Sequence, residues 1–222
     1  MTLREFPFRD RHHAGRVLAG KLGHYLGRPG LLVLALPRGG VAVGYEVALA
    51  LHAPLDVFVV RKLGYPGHEE YAMGAIASGG VQVLNPDVGR NVPPDMVASV
   101  VARERAELAR RERLYRGELP APQLQGRTVI VVDDGLATGS TMRAAVQAIR
   151  LQQPESICVA VPVGAAETCE QLEAEADEMV CAERPTPFRA VGLWYEQFPQ
   201  ASDTEVRALL DAARQERAPA TH

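Results

Sequence analysis

Three short, almost wholly apolar runs constrain this chain more than any other feature: LLVLAL at 31–36, VIVV at 129–132 and SICVAVPV at 156–163. A strand with apolar residues on both faces must be covered on both, which is the situation of a parallel sheet flanked by helices. The segments between them carry helical spacing. Residues 10–27 place Ala14, Val17, Leu18, Leu22, Tyr25 and Leu26 on one stripe. GGVAVGYEVALALHA (39–53) opens a helix on glycines, and PLDVFVVRK (54–62) reads as a second strand. Pro93 and Pro94 start a charged helix through about Arg116, a further helix spans about 140–152, and a short acidic helix leads to EMVCA. This alternation predicts an α/β fold, a parallel β-sheet core with helices on both faces. Ligands of such sheets bind beyond the C-terminal ends of the strands.

Two stretches break the pattern. In LGYPGHEEYAMGAIASGGVQVLNPD (63–87), Gly79-Gly80 between two apolar runs signals a hairpin arm. The tail FRAVGLWYEQFPQ (188–200) is aromatic and irregular, and Ser202 with Glu205 forms a capping box for a last helix. A formal net charge of −3 over 222 residues gives no global field to recruit nucleic acid or an acidic membrane. The chain shows no run of ~18 apolar residues of the kind a membrane span needs, and its N-terminal residues lack a signal-peptide core. Cys158, Cys169 and Cys181 include no CxxC pair, so a disulfide framework or zinc site is not indicated and a reducing cytoplasm is expected. His12, His13 and His68 fall in no metal-binding pattern.

The second apolar run ends in a way a buried strand should not: VIVVDDGLATGST, residues 129–141, passes through two carboxylates into a Gly/Thr/Ser loop and then a helix. The first N–H groups of a helix have no partner within it, and with the helix dipole they favour a phosphate. Thr138, Ser140 and Thr141 add hydroxyls, while Gly135 and Gly139 allow close backbone approach. Asp133 and Asp134 cannot serve that phosphate; they suit hydroxyl groups or a hard cation such as Mg²⁺. A sugar phosphate satisfies both demands, whereas an ordinary helix cap beside an acidic surface turn is the simpler alternative. A Walker loop is excluded by the missing lysine, and LPRGGVAVG has the wrong spacing for a dinucleotide fingerprint.

VIVVDDGLATGST resembles the phosphoribosyl pyrophosphate motif of the type I phosphoribosyltransferases. LPRGG (36–40) and RKLG (61–64) follow the first two strands in that family's order, and the resemblance runs over roughly residues 30–200. RKLGYPGHEEYAMGAI and AVGLWYEQF are closer still to a bacterial subgroup whose acceptor is unassigned. The resemblance implies one domain over 1–222, with a mobile arm and charged helix at 61–118 and a hood with the last helix at 183–222. Asp133 and Asp134 would hold the ribose hydroxyls, directly or through Mg²⁺. Gly135, Leu136 and the segment Ala137, Thr138, Gly139, Ser140, Thr141 would cradle the 5-phosphate. Arg38, Gly39 and Gly40 would contact pyrophosphate, the glycines permitting a strained backbone, with Arg61 or Lys62 assisting its departure. The acceptor, a nitrogenous base, would lie under the hood near Val163, Gly164, Trp194 and Tyr195, with Phe188 and Phe198 beside them; a plain hydrophobic plug is the competing reading. Ala137 stands where hypoxanthine-guanine enzymes carry an acid, so Glu70, then Glu69, becomes the candidate for proton transfer. A homodimer is also implied.

These features predict a Mg²⁺-dependent phosphoribosyl transfer from phosphoribosyl pyrophosphate with release of pyrophosphate. The alternative is a non-catalytic sensor of the sugar pyrophosphate, or an RNA-binding protein on the same fold. Its support is RERAELARRERLYR (103–116), with six arginines and three glutamates; a solvated face laced with i,i+4 pairs explains the same helix.

Overall fold

The computed structural model describes residues 7–65, 68–85 and 92–217, without the side chains of 68–71. Five parallel strands form the core: β1 (Leu32–Ala35), β2 (Leu55–Val57), β6 (Thr128–Val132), β7 (Ser156–Val163) and β8 (Glu178–Glu183), in the order β2-β1-β6-β7-β8. Between β2 and β6 the chain forms an antiparallel sheet of β3 (Val60–Tyr65), β4 (His68–Ala77) and β5 (Val81–Leu84). The helices are α1 (Arg11–Lys21), α2 (Gly40–Leu51), α3 (Pro94–Arg116), α4 (Ser140–Arg150), α5 (Ala166–Glu173) and α6 (Asp203–Arg217).

The apolar runs do what their composition requires. Successive residues of β6 enter opposite faces: Ile130 and Val132 pack with residues of α1, α2 and α6, whereas Val129 and Val131 pack with residues of α4 and α5. Every residue of β1 and β6 is buried. Each Val, Leu or Ile so enclosed contributes roughly 1.5–3 kcal/mol, which fixes both strands and therefore the loops that leave them.

The segment 54–62, read as one strand, is two. After β2 the Phe58 amide donates to the Ala35 carbonyl at 2.9 Å, and then the chain changes sheets. The Val59 N–H donates to Ser78 Oγ and the Ser78 N–H to the Val59 carbonyl, both at 2.9 Å, so Ser78 seeds the antiparallel pairing. The Gly-Gly turn occurs as expected, with positive φ at Gly79 and Gly80, the region open to glycine. Arg116 departs from the expected solvated face of α3. Its buried guanidinium donates to Asp56 Oδ1 at 2.8 Å and to the Val57 carbonyl at 2.5 Å, satisfying edge strand β2. The last helix is capped as the sequence indicates, the Glu205 N–H donating to Ser202 Oγ at 3.1 Å. No helix among the described residues is long and apolar enough to cross a membrane.

Candidate functional site

β1 and β6 are neighbours, but the chain leaves them in opposite directions, toward β2 from one and toward β7 from the other. A crevice opens at such a switch point, beyond the strands' C-terminal ends. The 36–40 loop and the 133–141 loop meet there. The Leu36 N–H donates to the Val132 carbonyl at 2.8 Å, the last rung between the two strands.

The glycines of the first loop serve contact rather than an unusual φ. Gly39 has φ −59° and Gly40 begins α2, so the expectation of glycine-only backbone angles is corrected. A Cβ on Gly39 would collide with Asp134 Oδ2, and one on Gly40 would lie 2.8 Å from the Val132 carbonyl and 2.9 Å from Asp133 Cα. The Pro37–Arg38 peptide is cis.

The second loop is tied down at its start and open at its end. The Leu136 N–H donates to the Val163 carbonyl and the Ala165 N–H to the Leu136 carbonyl, both at 2.9 Å. Thr168 Oγ1 donates to the Ala137 carbonyl at 2.7 Å. Gly139 then takes φ +68° and leads into α4 with no side-chain cap. A Cβ there would lie 2.5 Å from Thr168 Cγ2, so only glycine meets both the angle and the space. The uncapped N-terminus of α4 faces a cavity of about 160 Å³ lined by Asp133, residues 135–142 and Val191. First-turn N–H groups without intrahelical partners, with the hydroxyls of Thr138, Ser140 and Thr141 beside them, are an arrangement that can hold an anion.

Asp133 borders that cavity. Burial, and then the adjacent Asp134 charge, push its carboxyl well above the ordinary range, while one of its oxygens accepts the Asp134 N–H at 2.8 Å. Asp134 is held differently. Its Oδ2 accepts Arg11 Nε at 2.7 Å, and its carbonyl accepts the Tyr195 hydroxyl at 2.6 Å. Arg11 also donates to the Pro199 carbonyl at 2.6 Å and stacks 3.8 Å from the centre of the Phe198 ring. Nothing in the sequence singles out Arg11, which lies 123 positions from its partner.

The remaining predicted residues are distributed less tidily. Lys62 lies across from Ser140 and Arg143 in a cavity of about 420 Å³ between the antiparallel sheet and α4. Arg61 does not face the crevice freely: Nε and Nη2 bind Glu104 Oε2 of α3 at 2.9 and 2.7 Å. The Arg38 side chain lines a separate cavity of about 150 Å³ with Arg110, Arg111, Tyr115 and Asp203. Glu70 and Glu69 lie on β4, their side chains outside the described residues.

The expected base wall is largely enclosed in this structure. Val163 is fully buried, and Tyr195 is 2% exposed. Gly164 packs so closely that a Cβ would lie 2.7 Å from Cys169 Sγ. None of these three offers a side-chain face to a planar ligand. Val163 and Tyr195 belong to a plug with Phe8 and Ala14, against which Phe188, Trp194 and Phe198 pack. Burial, with the Asp134 charge next, raises the Tyr195 hydroxyl pKa, consistent with a neutral hydrogen-bond donor. Trp194 Nε1 is enclosed with no hydrogen-bond partner among the described residues.

Comparison with known proteins identifies the family of the chain. A model of the phosphoribosyl transferase domain matches residues 12–197. Proteins from two strains of Mycobacterium tuberculosis, provisionally named phosphoribosyl transferases, are 47% identical over 212 residues, 94% of this chain and 47% of theirs. The chain thus spans about half the length of these curated relatives. The crystal structure of the Thermus thermophilus protein TT1426 superposes with a TM-score of 0.82 at 43% identity, covering 91% of this chain and 97% of that one.

Proposed function

The chain belongs to the phosphoribosyl transferase domain family, and from that premise we propose that it transfers the phosphoribosyl group of phosphoribosyl pyrophosphate to a nitrogenous, base-like acceptor, releasing pyrophosphate. The observation that carries the proposal is the single turn 133–141, where a carboxylate and an uncapped helix N-terminus border one cavity. An anion alone needs no carboxylate there; a sugar phosphate uses both.

In this reading the 5-phosphate sits on the N–H groups of α4 with Thr138, Ser140 and Thr141. Asp133 and Asp134 accept hydrogen bonds from the ribose hydroxyls. The nitrogen nucleophile forms a bond to the anomeric carbon as the bond from that carbon to the pyrophosphate oxygen breaks, the electron pair leaving with pyrophosphate. Positive charge develops on the sugar, and the nearby carboxylates stabilise it. Holding the reactants in place supplies much of the remaining effect.

Among the described residues no three His, Cys, Asp or Glu side chains converge on a metal position. The hard oxygens of Asp133 and Asp134 fit Mg²⁺ when it shares the substrate's own oxygens, as that ion commonly does. Bound there, the ion would neutralise charge on the departing pyrophosphate. Lys62 shares a cavity with Ser140 of the phosphate loop, and we assign it to the 5-phosphate end of the substrate.

The RNA-binding alternative relies on α3, whose Arg103, Arg110, Arg111 and Arg116 are all engaged in ion pairs. That arrangement supports a structural role. The direct test is incubation with phosphoribosyl pyrophosphate, Mg²⁺ and a panel of purine, pyrimidine and other heterocyclic bases, with pyrophosphate release measured. Turnover with at least one acceptor is the expected result. No turnover with any, alongside saturable RNA binding, would replace the transferase with the regulator.

A further inference from the structure

Asp133 and Asp134 look equivalent in the sequence, yet the fold uses them unequally. Asp133 lines the phosphate-loop cavity and Asp134 does not. Instead Asp134 is fixed at both ends, its carbonyl by the Tyr195 hydroxyl and its Oδ2 by Arg11 Nε. We propose that Arg11 is a positioning residue of the sugar site: it holds Asp134 by Oδ2 and leaves Oδ1 to meet the ribose hydroxyls. The proposal deepens the transferase reading and rests on it.

Three observations separate this pair from an ordinary surface ion pair. First, both partners are enclosed, with side-chain exposures of 11% for Arg11 and 17% for Asp134. Second, the guanidinium is constrained in three directions, by Asp134, by the Pro199 carbonyl and by the Phe198 ring beneath it. A planar, multi-donor cation can meet all three demands together; a lysine ammonium, a point charge on a flexible stem, cannot. Third, the pair lies directly over the 36–40 loop. A Cβ on Gly39 would strike Asp134 Oδ2 and lie 3.2 Å from Arg11 Nε. The glycine that opens the pyrophosphate side of the crevice therefore also makes room for the ion pair on its sugar side.

The local fold delivers Arg11 to this point. Asp10 caps α1, its Oδ1 accepting the His13 N–H at 2.7 Å, which sets Arg11 as the first helical residue. The Phe8 N–H donates to the Trp194 carbonyl at 3.2 Å, and the Glu196 and Gln197 N–H groups donate to the carbonyls of Phe8 and Arg9 at 2.9 and 2.8 Å. The N-terminal segment and the hood are thus stitched together, and Arg11 projects from that seam onto Asp134. Positive charge beside two adjacent carboxylates also offsets their mutual repulsion.

Calorimetric titration with two probes, inorganic phosphate and ribose 5-phosphate, tests the assignment. The unaltered protein should bind ribose 5-phosphate more tightly than phosphate, the difference reporting the hydroxyl contacts. Arg11→Met should weaken ribose 5-phosphate by about 10-fold or more while leaving phosphate within about twofold. Arg11→Lys, which keeps the charge without the planar fork, should not restore the affinity. Arg11→Met combined with Asp134→Asn should be no weaker than the worse single variant, because the two act as one unit. Should Arg11→Met fail to fold, Phe198→Leu removes the ring that lies under the guanidinium and against Tyr195, and should weaken ribose 5-phosphate selectively. Wild-type binding of both probes by a folded Arg11→Met, or full recovery by Arg11→Lys, would overturn the positioning role and leave the sugar site standing. Equal affinity of the unaltered protein for the two probes would remove the sugar-phosphate reading and this inference with it.

Discussion

Two regions border the crevice, and they are built on different terms. The 133–141 loop presents mostly backbone: an uncapped helix start, a left-handed glycine, an amide tied to β7 and a carbonyl tied to α5. The arm and hood present side chains whose partners are distant in sequence, such as Arg61 with Glu104 and Arg11 with Asp134. A backbone anion site is specified by a few contiguous residues, because the groups that bind are fixed once the strand ends and the helix begins. A side-chain site depends on where other elements put its partners. If that distinction holds, substitutions in the loop should damage ligand binding, and substitutions in the arm should cost stability while leaving turnover nearly intact.

The largest effect belongs to Asp133. Replacing it by Asn removes the carboxylate that borders the phosphate cavity while keeping its shape. Turnover should fall at least ~100-fold, about 2.7 kcal/mol in the barrier, measured as pyrophosphate release under saturating substrate. The melting temperature should not fall, because Asn has nearly the same size and its side-chain oxygen can still accept the Asp134 N–H. Normal turnover in Asp133→Asn would break the comparison at its strongest point.

Gly139→Ala comes next. An L-residue at φ +68° costs roughly 1–2 kcal/mol, and the added methyl would press on Thr168 Cγ2. Thr168 cannot yield freely, since its hydroxyl holds the Ala137 carbonyl. Relief must come from the loop itself, turning the N–H groups of α4 away from the anion. Inorganic phosphate should bind about 10-fold more weakly by calorimetry, the equivalent of about 1.4 kcal/mol. Undiminished phosphate affinity would mean that the hydroxyls rather than the backbone hold the ligand.

The same distinction explains what the sequence made legible. The parallel core and the loop 133–141 were readable because the signals are local: apolar runs of strand length, acids at a strand end, Gly and Thr before a helix. The switch of 54–62 from one sheet to the other was not, because it depends on Ser78 taking the Val59 amide. Arg11 left no local signal, since its meaning arises only where α1, the hood and β6 meet. Tyr195 reads differently in the sequence and in the fold. Its aromatic character suggested stacking on a base, whereas its ring is buried and its hydroxyl holds the Asp134 backbone. Arg61 is a further case, because a cation after a strand looks the same in sequence whether it faces pyrophosphate or, as here, pairs with a glutamate of α3.

Arg61→Met sharpens that last point from the stability side. Glu104, 9% exposed, would lose two hydrogen bonds but keep Arg103 at 3.1 Å. Charged hydrogen bonds of this kind are worth about 1.5–3 kcal/mol, and the surviving partner should hold the loss to about 1–2 kcal/mol in denaturant unfolding. Turnover should stay within about threefold of the unaltered enzyme. A large fall in turnover with unchanged stability would return Arg61 to the pyrophosphate.

The smallest effect should come from Arg110, and its smallness is informative. Its side chain is 62% exposed and pairs with Glu107, which Arg111 also holds at 2.8 Å. An exposed pair in water gains little, because solvent screens the charges and two long side chains must be ordered. Arg110→Ala should therefore leave the melting temperature and pyrophosphate release unchanged within error. The informative arm is RNA binding by gel shift, because Arg110 and Arg111 share a cavity with Arg38, the arginine of the 36–40 loop. Were RNA bound there, removing Arg110 and Arg111 together would abolish it, and an added sugar pyrophosphate would compete. Absence of any shift in the unaltered protein leaves α3 as the helix that caps β2 through Arg116 and anchors the arm through Glu104. Arg116 would then record how a helix is docked to a sheet edge, and Arg110 and Arg111 a solvated face, not what the protein binds.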